Sequence, residues 1–158
     1  IGRFHPQKGF DILIRCFKEL NLKNCTLILI GNGHHEFSYL QNNDGKFKII
    51  DHVKNVSNFY NIFDVALFAS RWETFGFTLV EAMKFNLPIL TSKHIGNKDW
   101  LDKFPVSQFE IDKIEKLKKL IKKLYNSRIK KKKYNLHMFD YKKNSENIIG
   151  IYKKMLVK

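Results

Sequence analysis

Two glutamates eight positions apart, Glu73 and Glu81, bracket the end of a loop that runs Ser70-Arg71-Trp72-Glu73-Thr74-Phe75-Gly76-Phe77 and passes straight into a predicted helix. At the start of such a helix the backbone N–H groups around Phe75 to Thr78 have no partner a turn earlier, so they form an anion site. Gly76 has no side chain, which lets a ligand approach that backbone closely. A diphosphate suits the place. Glu81, in the first turns of the helix, can accept hydrogen bonds from vicinal hydroxyls such as those of ribose. The plainer alternative is that Glu81 complements the helix dipole and Glu73 is solvated. Arg3 and Lys8 bracket another short loop, where an arginine fork beside a lysine point charge matches the two phosphates of a nucleoside diphosphate. A surface Arg and Lys five apart are commonplace, so this pair gains meaning from its company.

Gly31 and Gly33 close a third candidate loop. A dinucleotide-binding fold would show G-x-G-x-x-G, whereas this chain has Glu36 at the third position, so the turn reads as a tight strand-to-helix connection and weighs little for NAD. The loop Ser92 to Asp99 is the fourth. Six histidines are scattered over the chain: His34, His35 and His94 in rim loops, with His5, His52 and His137 elsewhere. No pair has ligand spacing on one element, so no metal site is expected. Trp72 has two readings, stacking on a base or sugar, or packing over a core edge.

These loops must be held by a scaffold, and the pattern along the chain supplies one. Ile1 and Gly2 read as the tail of a strand, and Arg3 to Gly9 as a loop punctuated by Pro6 and Gly9. Phe10, Leu13, Ile14 and Phe17 recur at helical spacing and predict a helix over Phe10 to Leu20. Thr26 to Ile30 is a continuous apolar run, as in a strand buried on both faces. A short helix near Glu36 to Gln41, a strand at Phe47 to Ile50, a helix at Val56 to Phe63 and a strand at Val65 to Ala69 continue the alternation. Then come a helix at Gly76 to Asn86, a strand at Pro88 to Thr91 and a short edge strand at Gln108 to Ile111, after which only helices follow. Strands alternating with helices predict one α/β domain with a doubly wound, Rossmann-like parallel sheet, residues 112–158 being a mainly helical tail. In such folds ligands sit beyond the carboxyl ends of the strands, where all four candidate loops fall.

Composition agrees with a single globular domain: 158 residues, 44% apolar and 14% aromatic, are enough for a proper core. The chain lacks an apolar run of bilayer length and a secretory leader pattern, so a cytoplasmic location is expected. Cys16 and Cys25 read as small buried hydrophobes rather than a disulfide. The formal charge of +14 is concentrated in Lys113 to Lys133 and Lys142 to Lys158. A solvated helical face accounts for it most simply, and an anionic membrane surface comes next. Nucleic acid comes last and is not expected as a partner, because no binding motif and no basic stretch interleaved with stacking aromatics is present.

Taken together, Gly2-Arg3 with Lys8-Gly9, Leu29-Ile30-Gly31-Asn32-Gly33, Asp64 before a strand, Ser70-Arg71-x-Glu73-x-Phe75-Gly76, and Glu81-Ala82-Met83 with Pro88 resemble the group 1 (family 4) glycosyltransferases of GT-B fold. In that family E-x7-E is a signature of the C-terminal donor domain. The resemblance covers roughly Ile1 to Leu101. It implies a retaining transferase that moves a hexosyl group from a nucleoside-diphosphate sugar, UDP- or GDP-linked, to an acceptor such as a lipid-linked or cell-envelope glycan. Arg3 and Lys8 would bind the diphosphate. The backbone of Phe75, Gly76, Phe77 and Thr78 would hold phosphate and sugar, Glu81 would take the ribose, and Glu73 would stand beside the sugar ring. The backbone near His52 and Val53 would frame the base, with Gly31 and Gly33 closing on the nucleotide.

Two carboxylates can suggest a hydrolase, but the surrounding motif fits a diphosphate leaving group, whose developing charge is met by cations and N–H groups rather than by a protonating acid. The resemblance implies no cofactor and no divalent metal, in keeping with the lack of a D-x-D motif. Two departures stand out. Ile95-Gly96-Asn97-Lys98-Asp99 lacks one glycine and the proline of the family loop, so Asp99 would have to stand in for its acid. The N-terminal acceptor domain is missing, so the chain alone should bind but barely turn over. A basic module that docks on membrane or nucleic acid without transferase activity is the competing expectation.

Overall fold

The computed structural model describes residues 1–33, 45–93, 96, 98–127 and 129–156. Helix α1, Phe10–Leu20, carries its apolar stripe inward: Phe10, Leu13, Ile14, Phe17 and Leu20 are all buried, and Cys16 beside them is fully so. Gly9 opens this helix and Asn21 closes it, both in the left-handed region. A short 3-10 turn, Pro6–Lys8, precedes it. Strand β1, Leu27–Ile30, pairs in parallel with β2, Phe47–Ile50. Helix α2, Ser57–Ile62, then leads to β3, Ala66–Phe68, and α3, Phe77–Lys84, leads to β4, Ile89–Ser92. After α4, Lys98–Leu101, comes β5, Ser107–Phe109, and both pairings in the order β3-β4-β5 are parallel.

All four residues of β4 are buried, as a central strand covered on both faces requires. Two apolar clusters pack the layers. One joins α1 to β1, β2 and helix α5, Ile114–Asn126, through Phe17, Leu29, Phe47, Leu117 and Ile121. The other joins α2 and α3 to β3 and β4 through Tyr60, Leu79, Met83, Leu87 and Ile89. Each fully buried side chain of this kind contributes roughly 1.5–3 kcal/mol.

The strand tail expected at Ile1 and Gly2 is not formed as a strand; the other strands and helices expected among the described residues are present, with ends that differ by up to two residues, and the helix expected at 36–41 lies outside them. The strands form two parallel sheets rather than one. Gly2 N–H donates to Ile30 O at 2.9 Å and Phe4 N–H to Asn32 O at 2.8 Å, so the N-terminal segment runs parallel to β1 but meets it only at its last residue. Between the facing edges of β1 and β3 lies a cavity of about 390 Å³, lined by Ile1, Ile28, Val65 and Leu67 among others. Helix α4 and the 3-10 turns were not expected. Helix α6, Tyr141–Leu156, has no buried residue, and Ile148, Ile151, Tyr152 and Met155 are exposed along it. Among the described residues no helix is long and apolar enough to cross a membrane.

Candidate functional site

The loops that follow β1 and β3 and the segment of residues 3–9 converge at one edge of the fold. Gly31 faces the Gly2 carbonyl so closely that a Cβ would collide with it, which explains the first glycine of the Gly31–Gly33 turn. Gly9 does the same against the Ala69 carbonyl, and its φ of 62° is a left-handed conformation that side chains adopt only with strain. The His5 imidazole Nδ1 accepts from Gln7 N–H at 3.2 Å and caps the turn that carries Lys8.

A set of side chains then ties residues 3–9 to the loop after β3. Arg71 N–H donates to Gln7 O at 2.7 Å, and Gln7 Nε2 donates to Trp72 O at 3.0 Å. The Arg71 guanidinium holds both oxygens of Asp11, at 2.9 and 2.6 Å, and also donates to Pro6 O. Such a planar fork fixes orientation as well as distance. Its result is that Lys8 and Glu73 meet as an ion pair, Lys8 Nζ on Glu73 Oε2, with side chains only 21% and 13% exposed. Gly96 N–H reaches the Glu73 carbonyl at 2.5 Å, and Ser92 Oγ donates to Ser70 O at 2.5 Å. The loop is thereby held at Ser70 by the last residue of β4 and at Glu73 by Gly96 beyond it.

Beyond Glu73 the chain turns at Gly76, whose φ of 81° is left-handed, and enters α3. No side chain caps this helix. Leu79 and Val80 N–H bond back to Gly76 O, while the Phe77 and Thr78 N–H groups have no partner among the described residues. Phe75 points away from this edge into an aromatic cluster with Trp100, Phe104 and Phe139, so it can serve a ligand through its backbone but not through its ring. Phe77 stacks obliquely on Phe75 at 4.9 Å and is otherwise exposed.

One turn into α3, Glu81 is solvent-exposed, and its Oε2 accepts from Tyr60 OH at 3.0 Å. Tyr60 also reaches Thr78 O at 3.2 Å. Burial, the Glu81 charge and this hydrogen bond push the Tyr60 phenol above its ordinary range, so it stays protonated and serves as a donor.

Of the residues expected at the site, the structure joins Lys8 to Glu73, sets Gly31 and Gly33 against residues 2–4, and places Gly76, Phe77 and Thr78 directly after Glu73. Glu81 lies one turn further on and makes no contact with Glu73. Arg3 is exposed on the same segment without a partner among the described residues. Val53 is half-buried in the loop after β2 and is not brought into contact with the others. Asp99 is exposed in the first turn of α4, and His34, His35 and His94 lie outside the described residues. Trp72 is 57% exposed and does not pack over the core edge. Sequence reasoning missed Tyr60, Gln7 and the Arg71–Asp11 fork; the available signal was a hydroxyl-bearing ring in an otherwise buried position of α2. Among the described residues no group of three or more His, Cys, Asp and Glu side chains could hold a metal ion.

Parallel strands separated by helices define a Rossmann-like α/β domain, and the cationic and acidic groups lie beyond the carboxyl ends of the strands, the edge at which such folds generally bind ligands. The family model described as glycosyl transferases group 1 matches residues 1–149, and the chain belongs to this family. It is 34% identical over 100 residues to an uncharacterized glycosyltransferase of Methanocaldococcus jannaschii, which covers 58% of this chain and 24% of that protein. It is 32% identical over 107 residues to the capsular polysaccharide biosynthesis glycosyltransferase CapM of Staphylococcus aureus, covering 63% of this chain and 28% of CapM. Its fold matches that of Anabaena HepE, solved in complex with UDP-glucose, with a TM-score of 0.67 at 19% identity over 79% of this chain and 38% of that one. The chain thus spans about a quarter of the length of these curated relatives, and the likeness to HepE is one of GT-B fold.

Proposed function

We propose that this chain is the donor-binding domain of a retaining glycosyltransferase that moves a hexosyl group from a nucleoside-diphosphate sugar to a lipid-linked or cell-envelope glycan. The carrying observation is the Lys8–Glu73 ion pair set beside the uncapped start of α3. A diphosphate bound there would accept from the Phe77 and Thr78 N–H groups and gain the positive end of the helix, with Lys8 and Arg3 opposite. As the glycosidic bond breaks, negative charge grows on the departing phosphate and positive charge on the sugar. The first is met by Lys8, Arg3 and the N–H groups, the second by Glu73. No metal and no protonating acid is needed for such a leaving group. Glu81 takes the ribose hydroxyls, and Gly31, Gly33 and Val53 border the base.

The description of HepE as a complex with UDP-glucose supports a nucleotide sugar as the donor. An N-terminal domain would bind the acceptor, and these 158 residues by themselves should bind the donor but barely turn over. The reading includes a cytoplasmic protein that reaches its acceptor at an anionic membrane surface, which the lysine-rich tail and the exposed apolar residues of α6 favour. Amide NMR during titration with UDP tests the diphosphate placement: shifts at Phe77 and Thr78 support it, and saturable binding that leaves both amides unmoved contradicts it. If UDP does not bind at all while anionic vesicles do, the chain is a membrane-docking module instead.

A further inference from the structure

We infer that Tyr60 is a positioning residue that sets Glu81 for recognition of a vicinal diol. This rests on the donor-site reading above and adds to it a residue from a different element. Tyr60 lies in α2, and its ring is fixed by stacking on Phe85 at 5.2 Å and by an edge contact with Phe63 at 6.1 Å. At 2% exposure the residue has no access to water, so its hydroxyl must find acceptors within the fold. The acceptors are two groups of α3, Thr78 O at 3.2 Å and Glu81 Oε2 at 3.0 Å.

One hydroxyl thus reaches both ends of the first turn of that helix. At one end, Thr78 carries an N–H group without a partner among the described residues. At the other, Glu81 Oε1 belongs to a solvent-exposed residue and has no partner among the described residues. A carboxylate accepts but does not donate, so an oxygen held in a fixed direction selects a ligand that brings hydroxyl donors. Two adjacent hydroxyls on a five-membered sugar ring are such a ligand. The single Tyr60 proton, shared between Thr78 O and Glu81 Oε2, turns the Glu81 carboxylate toward the diol end of a bound nucleotide. Without its proton Glu81 is free to rotate, and the preference for a diol falls.

Calorimetric titration of the 158-residue chain with UDP and with 2′,3′-dideoxy-UDP reads this preference directly. Tyr60→Phe keeps the ring packing and removes only the hydroxyl. The preference for UDP over the dideoxy compound is expected to shrink about tenfold in Tyr60→Phe, as loss of a hydrogen bond to a charged group implies. Affinity for the dideoxy compound should stay unchanged, and Glu81→Ala should collapse the same ratio. A purely structural role would weaken both ligands alike and leave the ratio intact. If Tyr60→Phe keeps the ratio while Glu81→Ala abolishes it, the role of Tyr60 is overturned and the donor-site reading stands. If the unaltered chain binds neither compound, or both equally, the donor-site reading fails and the inference with it.

Discussion

Lys8 and Glu73 are 65 positions apart in the chain, yet the ammonium of one rests on a carboxylate oxygen of the other. The pairing is a product of the surrounding loops rather than of local sequence. Gly9 lets the backbone turn under Ala69, Gln7 and Arg71 bond the two loops to each other, and Gly96 anchors the Glu73 carbonyl from the far side. A cation and an anion held together at an edge where helix N–H groups have no partner among the described residues form a polar site that folding alone does not require.

Lys8→Ala should leave the Glu73 carboxylate, 13% exposed, without its counter-charge. A loss of about 2 kcal/mol in urea unfolding is expected, and Glu73→Gln in the Lys8→Ala background should recover part of it. A neutral Lys8→Ala single variant would show that the pair is not held in solution.

Gly9→Ala should be more damaging than a surface glycine replacement, because the new Cβ enters the Ala69 carbonyl and a left-handed φ of 62° is retained. More than about 2 kcal/mol should be lost. Gly45→Ala, where a Cβ meets nothing within 4 Å, provides the control, since it shares the positive φ but not the collision. Equal losses at the two sites would mean that backbone strain alone, and not close approach, sets the cost.

The Arg71–Asp11 fork is about 40% exposed on both sides, so solvent screens it. A double-mutant cycle with Arg71→Ala and Asp11→Ala should give a coupling of about 0.5–1 kcal/mol at low salt that fades toward 1 M salt. Coupling that survives high salt would identify packing rather than charge as its source.

How much of this was readable in advance depends on the range of the interaction. The apolar spacing of Phe10, Leu13, Ile14 and Phe17 set α1 to the residue, because a helix face is decided by neighbours three and four apart. That Glu73, Gly76 and Glu81 fall on one loop and the helix it enters was legible because they are close in sequence, although Glu81 makes no contact with Glu73. Joining Lys8 to Glu73 needed the strand order as well, which alternation supplied only in outline. The division into two sheets was not legible, since apolar runs do not say which edges pair. Tyr60 escaped notice because a buried ring reads as core until its hydroxyl partner, 21 positions away, is known. Helix α4 is four residues long, too short for a periodic signal.

Tyr134 gives the fold an alkaline limit. Its hydroxyl donates to Leu87 O at 2.8 Å, and burial pushes the phenol up to about 12. Because the folded form holds this proton more tightly than the unfolded form, near 10, the contribution is fully present below pH 10 and is lost as pH rises through 12. In Tyr134→Phe the fall in urea midpoint between pH 9.5 and 11.5 should be shallower than in the unaltered chain. Identical slopes would mean that Tyr134 ionises as freely in the fold as outside it.

The donor-site reading is tested most directly by calorimetric titration of this chain with UDP, GDP, ADP and NAD, at moderate salt so that general attraction to a +14 protein is screened. One nucleoside diphosphate should bind clearly better than the others and better than NAD, with affinity lost in Glu81→Ala and reduced in Lys8→Ala. Equal, salt-sensitive binding of all four, or selective binding that Glu81→Ala leaves unchanged, would contradict it.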